Sequence, residues 1–477
     1  GGSSVPAQPG TTSAPADQPS AARHAPVPAP LDQPPAERKT EPAADPTGRV
    51  SPSAGSEPTA LLTVGTSPQT GAPVRIALDT LRRHTAVFAG SGSGKTVLIR
   101  RLVEECALRG VSAIVLDPNN DLARLGDAWP APPAGWGPGD DQRAAEYLAH
   151  TEVVVWTPRK ASGRPLTFQP LPDFRSVLDD PDEFTEAVDS AVAALAPRAK
   201  VDGNAPKATQ GRAVLKEALT YFARRGGGDL RSFLDLLSEL PDGVSGLIKG
   251  AQLASDLAET LKAATVTDPL FGGEGTPVDP GLLLRPAPGK RARVSVVNLV
   301  GLPSDDQRQS FVNQLQMALF AWVKKHPARD RPLAGLLVMD EAQTLAPSGA
   351  LTACTRSTLA LASQARKYGL GLVFATQAPK GLHNGVSGNA ATQFYGLLNA
   401  PAQIAAVQEI ARAKGATAVD ISRLSTGEFY VAAPEVPFQK VRTPLCLSHH
   451  PASPLTAEEV IARARPDTGA ADTARRR

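Results

Sequence analysis

Residues 85–117 read TAVFAGSGSGKTVLIRRLVEECALRGVSAIVLD, and this stretch decides the fold. A short apolar run ends at Ala89, and a loop of alternating Gly and Ser follows. Helical periodicity then runs to a glycine stop at Gly110, and a second apolar run ends at Asp117. Strand, loop, helix and strand in that order form a βαβ unit, whose two strands lie parallel. The loop itself, AGSGSGKT at 89–96, has the composition of a phosphate cradle. Glycines let consecutive backbone N–H groups turn towards phosphate oxygens. The helix that follows adds about half a positive charge at its N-terminus. Lys95 is placed to reach the outer phosphates, and the Thr96 hydroxyl to ligate Mg²⁺. The nucleotide-binding set is therefore Gly90, Ser91, Gly92, Ser93, Gly94, Lys95, Thr96 and Val97. Ala89 stands where such loops usually begin with glycine, and its small side chain keeps the strand end uncrowded.

The rest of the chain repeats the alternation. Short strands are expected at 61–65 and 72–78, around a Gly/Pro turn. Others are expected at 151–157, 293–300, 333–339, 371–377, 393–400, 427–433 and 438–447. Helices are expected at 305–326, 355–369 and 456–465. The strands are mostly continuous apolar runs rather than alternating ones. That pattern predicts an α/β fold, with a mostly parallel central sheet covered by helices on both faces. From 173 to 290 the pattern is mainly helical, as in DEFTEAVDSAVAALA at 182–196, and reads as an insertion. The expected division is a linker at 1–60, the first part of the core at 61–172, and the insertion at 173–290. The second part of the core covers 291–448, and a terminal helix with a basic tail covers 449–477.

Residues 1–60 contain no Phe, Trp, Tyr, Ile or Met and a single Leu, Leu31. Such a segment cannot bury enough apolar surface to offset its ordering entropy, so it is expected to be a disordered linker. The chain opens on Gly1, as expected of a fragment or a processed product. Lys and Arg number 50 against 47 Asp and Glu, a net charge of +3 that neither requires nor excludes nucleic acid. Cys106, Cys354 and Cys446 are far apart, which excludes a metal knuckle or a disulfide framework and suits a reducing cytoplasm. No apolar run approaches a bilayer span, so direct membrane insertion is not expected.

The class of phosphate chemistry comes from LLVMDEAQTL at 336–345. Asp340 and Glu341 follow an apolar strand, where Asp340 can hold Mg²⁺ and Glu341 can polarise an attacking water. An Asp-Glu pair there points to ATP hydrolysis rather than to transfer onto a small acceptor. Asp117 also ends a strand, but Pro118 and Asn119 follow it and supply no base. Asp117 and Asn120 are read as facing the nucleotide or a subunit interface, with a plain turn as the alternative. Gln377 closes GLVFATQ at 371–377, where an amide can sense the terminal phosphate. Arg366, just ahead of that strand, is the candidate for an arginine acting on a neighbouring subunit's phosphate. Arg308, Arg412 and Arg423 are rivals for that role.

These motifs together resemble the HerA/FtsK superfamily, most closely the HerA-type central domain and its conjugative and secretion relatives. The resemblance rests on AGSGSGKT, LDPNNDL at 116–122, VVNLVGL at 296–302, LLVMDEAQTL, and SQARKYGLGLVFATQ at 363–377, and runs from about 61 to 445. It implies a RecA-like core that binds ATP and Mg²⁺, assembles into homo-hexameric rings and drives double-stranded DNA through a central pore. It also implies a nuclease or other effector partner. HerA proper carries a small β-barrel ahead of the core, and residues 1–60 lack the apolar residues to form one. Candidate DNA contacts are Lys380 and His383 after Gln377, and Lys207 and Arg212 in the helical segment, each with solvated surface charge as the alternative. The resemblance also admits a secretion-type ATPase moving protein, or an ATP-dependent scaffold or switch in a defence or conjugation complex.

Overall fold

The computed structural model describes residues 60–466, except 269, 274, 414 and 416–419. The proline-rich segment before Ala60 and the tail after Pro466 lie outside the described residues. In chain order the elements are β1 (Leu61–Thr66), β2 (Pro73–Ala77), β3 (Thr85–Phe88), α1 (Lys95–Leu108), β4 (Ala113–Asp117), α2 (Asp140–His150) and β5 (Thr151–Trp156). There follow β6 (Leu166–Thr167), α3 (Pro181–Leu195), α4 (Pro206–Arg224), α5 (Leu230–Ser238), α6 (Gly250–Thr267), β7 (Thr276–Pro277) and α7 (Pro280–Leu284). The last part holds β8 (Ala292–Asn298), α8 (Asp305–Lys325), β9 (Gly335–Met339), α9 (Ala353–Gln364), β10 (Leu370–Thr376) and α10 (Asn384–Ser387). It closes with β11 (Thr392–Tyr395), α11 (Pro401–Ala413), β12 (Glu428–Ala433), β13 (Val436–Arg442) and α12 (Ala457–Ala464).

Eleven strands form one sheet in the order β2-β1-β13-β12-β11-β3-β10-β9-β4-β8-β5. From β11 to β5 every neighbouring pair is parallel, and from β11 outwards to β2 every pair is antiparallel. The fold is thus α/β with a mostly parallel sheet, as the apolar runs require. Side chains alternate across the sheet, and each central strand feeds two cores. Val115, Val338 and Val373 pack with α1 and α2 on one face. Their neighbours Leu116, Met339 and Phe374 pack with α8 and α9 on the other. That is why these strands are apolar at every position. Strand β2, at one edge of the sheet, alternates between buried and less buried residues.

Between β6 and β7, helices α3–α6 gather around a core of their own, which includes Leu195, Leu219, Phe233 and Leu261. This core ends at Phe271; Leu283 and Leu284 of α7 pack on the sheet with α8 instead. Strand β10 lies between β3 and β9 in space, although β4 comes between them in the chain. Strand β8 sits outside β4, next to β5, and so stays clear of the strands that carry the phosphate loop and the acid pair. Among the described residues no helix is long and apolar enough to cross a membrane.

Candidate nucleotide site

The loops after β3, β4, β9 and β10 meet at the carboxyl ends of the parallel strands. Ligands of open α/β sheets bind at that end. After β3, Ala89 is fully buried and its amide donates to the Thr376 carbonyl. A Cβ added at Gly396 would lie 2.8 Å from the Ala89 Cβ, so the alanine fits because its neighbour is glycine. Gly92 and Gly94 adopt positive φ values of 74° and 90°. Gly94 is also crowded: a Cβ there would meet the Gly427 nitrogen at 3.0 Å. Gly427 donates to the Ser93 carbonyl at 2.9 Å, and the Thr426 hydroxyl to the Gly92 carbonyl at 2.7 Å. The loop before β12 therefore braces the cradle from behind.

Ser93, placed in the nucleotide-binding set by sequence, turns inward instead. It is fully buried, donates to the Gly90 carbonyl at 2.6 Å and accepts from the Lys95 amide at 3.2 Å. Its hydroxyl shapes the loop, a job open only to a small polar side chain. The amides of Ser91, Gly92 and Gly94 donate to no group among the described residues. With the N-terminus of α1 they form an open row of donors, suited to phosphate oxygens.

Lys95 bridges the loop to β9. Its ammonium donates to Asp340 Oδ1 and to Glu341 Oε1, each at 2.7 Å. Glu341 stands at φ 51°, a left-handed conformation that non-glycine residues seldom adopt. The conformation is held by a network. The Glu341 amide donates to Asp340 Oδ1 at 2.9 Å, and Gln343 and Gln377 donate to Glu341 Oε2 at 2.6 and 3.3 Å. Gln343 in turn accepts from the Thr376 hydroxyl at 2.7 Å. Burial raises Asp340 above the ordinary carboxylate range, although Lys95 opposes it. Burial acts the same way on Glu341, but there Lys95 and the two glutamines outweigh it and the group is held low. Burial would lower Lys95, and the two carboxylates reverse this and hold it high. The Thr96 hydroxyl makes no hydrogen bond among the described residues and lines the same cavity as Asp340. A hydroxyl and a carboxylate facing one space are a hard-oxygen donor set, which Mg²⁺ completes with water and phosphate oxygens.

The cavity has a volume of about 490 Å³, within the range of small-molecule sites. It is lined by Gly90, Ser91, Gly92, Gly94, Lys95, Thr96, Val97, Asp340, Glu341 and Gln377, together with Asn119, Asp121, Thr426, His450 and Ala452. The last five were not singled out from sequence. A larger cleft of about 780 Å³ opens between α3 and the pair α8–α9, lined by amides and apolar groups such as Asn313, Gln314 and Met317 and by the charges of Arg198, Asp202, Asp268, Asp306 and Arg356. It has no phosphate loop, which lines only the smaller cavity together with Asp340 and Glu341.

Asp117 and Asn120 do not face the cavity. Asp117 is fully buried, accepts from Asn298 at 2.9 Å and from the Asp121 amide at 3.1 Å, and is pushed up to about 6 by burial. Asn120, at φ 64°, donates to the Leu455 carbonyl at 3.1 Å. Arg366 is exposed at the opposite end of β10, beside Arg82 and Arg83. Arg308 donates to the Leu302 carbonyl, Arg412 is exposed, and Arg423 is exposed beside Asp420. Arg212 spends its guanidinium on the carbonyls of Val201 and Gly203, which close the turn before α4. His383 caps α10 by accepting from the Gly385 amide, whereas Lys207 and Lys380 are exposed.

Among solved structures, the chain is similar to the plasmid coupling protein TrwB in complex with the non-hydrolysable ATP analogue ADPNP. The identity is 14%, the TM-score 0.50, and the match covers 84% of this chain and 93% of that one. It is also similar to VirB4 of Thermoanaerobacter pseudethanolicus, at 15% identity and a TM-score of 0.47, covering 84% and 99%. At such identities the likeness is one of fold. No curated protein sequence matches the chain. The central domain of helicase HerA matches residues 62–316, more than half of the 477, and the chain belongs to that family.

Proposed function

We propose that this protein is an ATP-hydrolysing ring motor that couples turnover to movement along double-stranded DNA. The observation that carries the reading is Lys95 held between Asp340 and Glu341 beside open loop amides. Gly90–Val97 hold the phosphates, with Ser93 acting through loop shape. Lys95 leaves the acid pair for the β- and γ-phosphate oxygens. Thr96 and Asp340 are the residues that hold Mg²⁺, which when bound neutralises charge on the phosphates. Water attacks the γ-phosphorus, the bond to the β-phosphate oxygen breaks, and ADP leaves with its electron pair. Glu341 orients that water and takes up its proton, while Gln377 and Gln343 fix the carboxylate through its second oxygen. When Lys95 moves to the phosphate, Glu341 loses the cation that holds it low and becomes a better base. Substrate binding thus prepares the residue that acts on the water.

Family membership supports a motor, and the ring, the hexamer and Arg366 acting between subunits follow from the same reading. A cytoplasmic site of action, a nuclease or other effector partner, and the division into a split core with a helical insertion at 173–290 belong to it as well. A second reading comes from the resemblance to secretion ATPases: the same engine moves protein substrates. One measurement separates them: the ATPase rate with and without double-stranded DNA, on material sized by light scattering. Stimulation that fades steeply with salt supports the DNA motor. A rate indifferent to DNA refutes it and leaves the second reading.

A further inference from the structure

The family match ends at 316, yet one wall of the nucleotide cavity comes from the far end of the chain. After β13, residues 443–456 cross the outer side of α1 and reach the loop after β4. The crossing is fastened at a pair of buried charges one and two turns into α1. Glu104 accepts from the amides of Leu447 at 2.6 Å and Ser448 at 2.9 Å. Arg100 donates to the Ser448 hydroxyl and to the His449 carbonyl. Both side chains are fully buried. The indoles of Trp129 and Trp136 donate to the Cys446 carbonyl, and Asn120 holds the Leu455 carbonyl. Such fastening fixes the segment between its anchors, and there His450 and Ala452 line the same cavity as the phosphate loop.

The chemistry of that wall differs from that of the loop. Arg100 Nη1 lies 3.5 Å from His450 Nδ1, and a guanidinium only donates, so Nδ1 is the acceptor. Nε2 therefore carries the proton of a neutral ring. Burial, then Arg100 and His449, hold the ring down at about 4. Arg100 stands five residues beyond Lys95, more than one turn into α1, so its contact places His450 beside the helix rather than at the N-terminus that carries Lys95 and Thr96. With Arg100 fully buried behind the ring, the wall offers the cavity a neutral donor and a methyl group, which suit a ribose and base rather than a triphosphate.

Resting on the nucleotide reading above, we infer that residues 448–452 form the nucleoside wall of the site and that His450 donates through Nε2–H to the nucleoside of a bound nucleotide. The test is titration calorimetry of the whole chain with Mg·ADP and with inorganic tripolyphosphate. His450→Ala is expected to weaken ADP roughly 5-fold, one lost neutral hydrogen bond, and to leave tripolyphosphate unchanged. His450→Gln, which keeps an N–H donor, is expected to retain most of the affinity. In the unmodified protein, ADP is expected to slow amide exchange over 446–456. An unchanged ADP affinity in His450→Ala, equal weakening of both ligands, or exchange unaffected by ADP overturns the inference. A wild-type protein that binds neither ligand overturns the nucleotide reading itself.

Discussion

Replacing Glu341 with Gln is expected to slow ATP turnover and at the same time to tighten ATP binding. Without nucleotide, Lys95 spends its charge on two carboxylates, each 2.7 Å away. Reaching a phosphate means leaving both. Lys95 and Glu341 are about nine-tenths buried, so the pair is stronger than a surface salt bridge. A charge-assisted hydrogen bond contributes about 1.5–3 kcal/mol, and a neutral amide in its place about half of that. The variant therefore lowers the cost of freeing Lys95 by about 1 kcal/mol, close to a 5-fold gain in affinity. Removing a negative charge beside the terminal phosphate acts in the same direction. Loss of the proton acceptor slows turnover by about 10²–10⁴-fold. Calorimetry with Mg·ATP and single-turnover phosphate release read the two effects separately. Normal turnover refutes the base. Slow turnover with weaker binding refutes the competition between acid pair and phosphate for Lys95.

Gly94→Ala combines a positive φ with a 3.0 Å approach to the Gly427 nitrogen, so it is expected to cost about 1–3 kcal/mol in denaturant melts and to weaken ATP binding. Gly71→Ala, at φ 69° with no atom within 4 Å, is the control for strain without crowding. Burial pushes the His84 ring down to about 4 from 6.5, so the unfolded chain takes up its proton first. Its contribution is intact above about pH 6.5 and is lost as pH falls towards 4, by about 2 kcal/mol at pH 5. His84→Asn, which removes the titrating ring, should show a smaller loss between pH 7 and pH 5 than wild type. Arg366→Ala mixed with Glu341→Gln subunits should give activity that depends on the mixing ratio; independence from the ratio removes a role between subunits.

The parts of the site that could be read from sequence are those whose chemistry is local. Gly92, Gly94, Lys95 and Thr96 sit within one turn of chain, and Asp340-Glu341 are adjacent. Gln343 was in plain view two residues later, but a neutral amide carries no signature until Thr376 and Glu341 are seen beside it. The terminal strap was hidden for a different reason. Arg100, Arg101, Glu104 and Glu105 look like the solvated face of an amphipathic helix, and only the i,i+4 spacing of opposite charges is visible. In the structure all four are buried: residues 445–450, over 340 positions later, supply partners to Arg100, Arg101 and Glu104, while Asp140 and Arg143 of α2 meet Arg101 and Glu105. The parallel centre was legible because strands packed on both faces must be apolar throughout. The place of β8 outside β4 was not, because chain order does not fix which strands become neighbours.

Strand β10 explains why Arg366 cannot serve the site of its own chain. Strand β10 runs from Leu370, next to Arg366, to Thr376, which bonds Gln343 beside Glu341. Seven extended residues span about 20 Å, far beyond the reach of an arginine side chain. Parallel pairing sets this separation, since every βαβ crossover returns the chain to the amino end of the sheet. Arg366 enters β10 at that end, and Gln377 leaves it at the other. Any action of Arg366 on a phosphate therefore needs a second copy of the chain. Its exposure among Arg82, Arg83 and Lys367 makes it available to one. An Arg366 variant that bound ATP normally yet lost turnover only within an assembly would place that second copy at the site. One that lost turnover equally as an isolated subunit would contradict the 20 Å separation on which the argument rests.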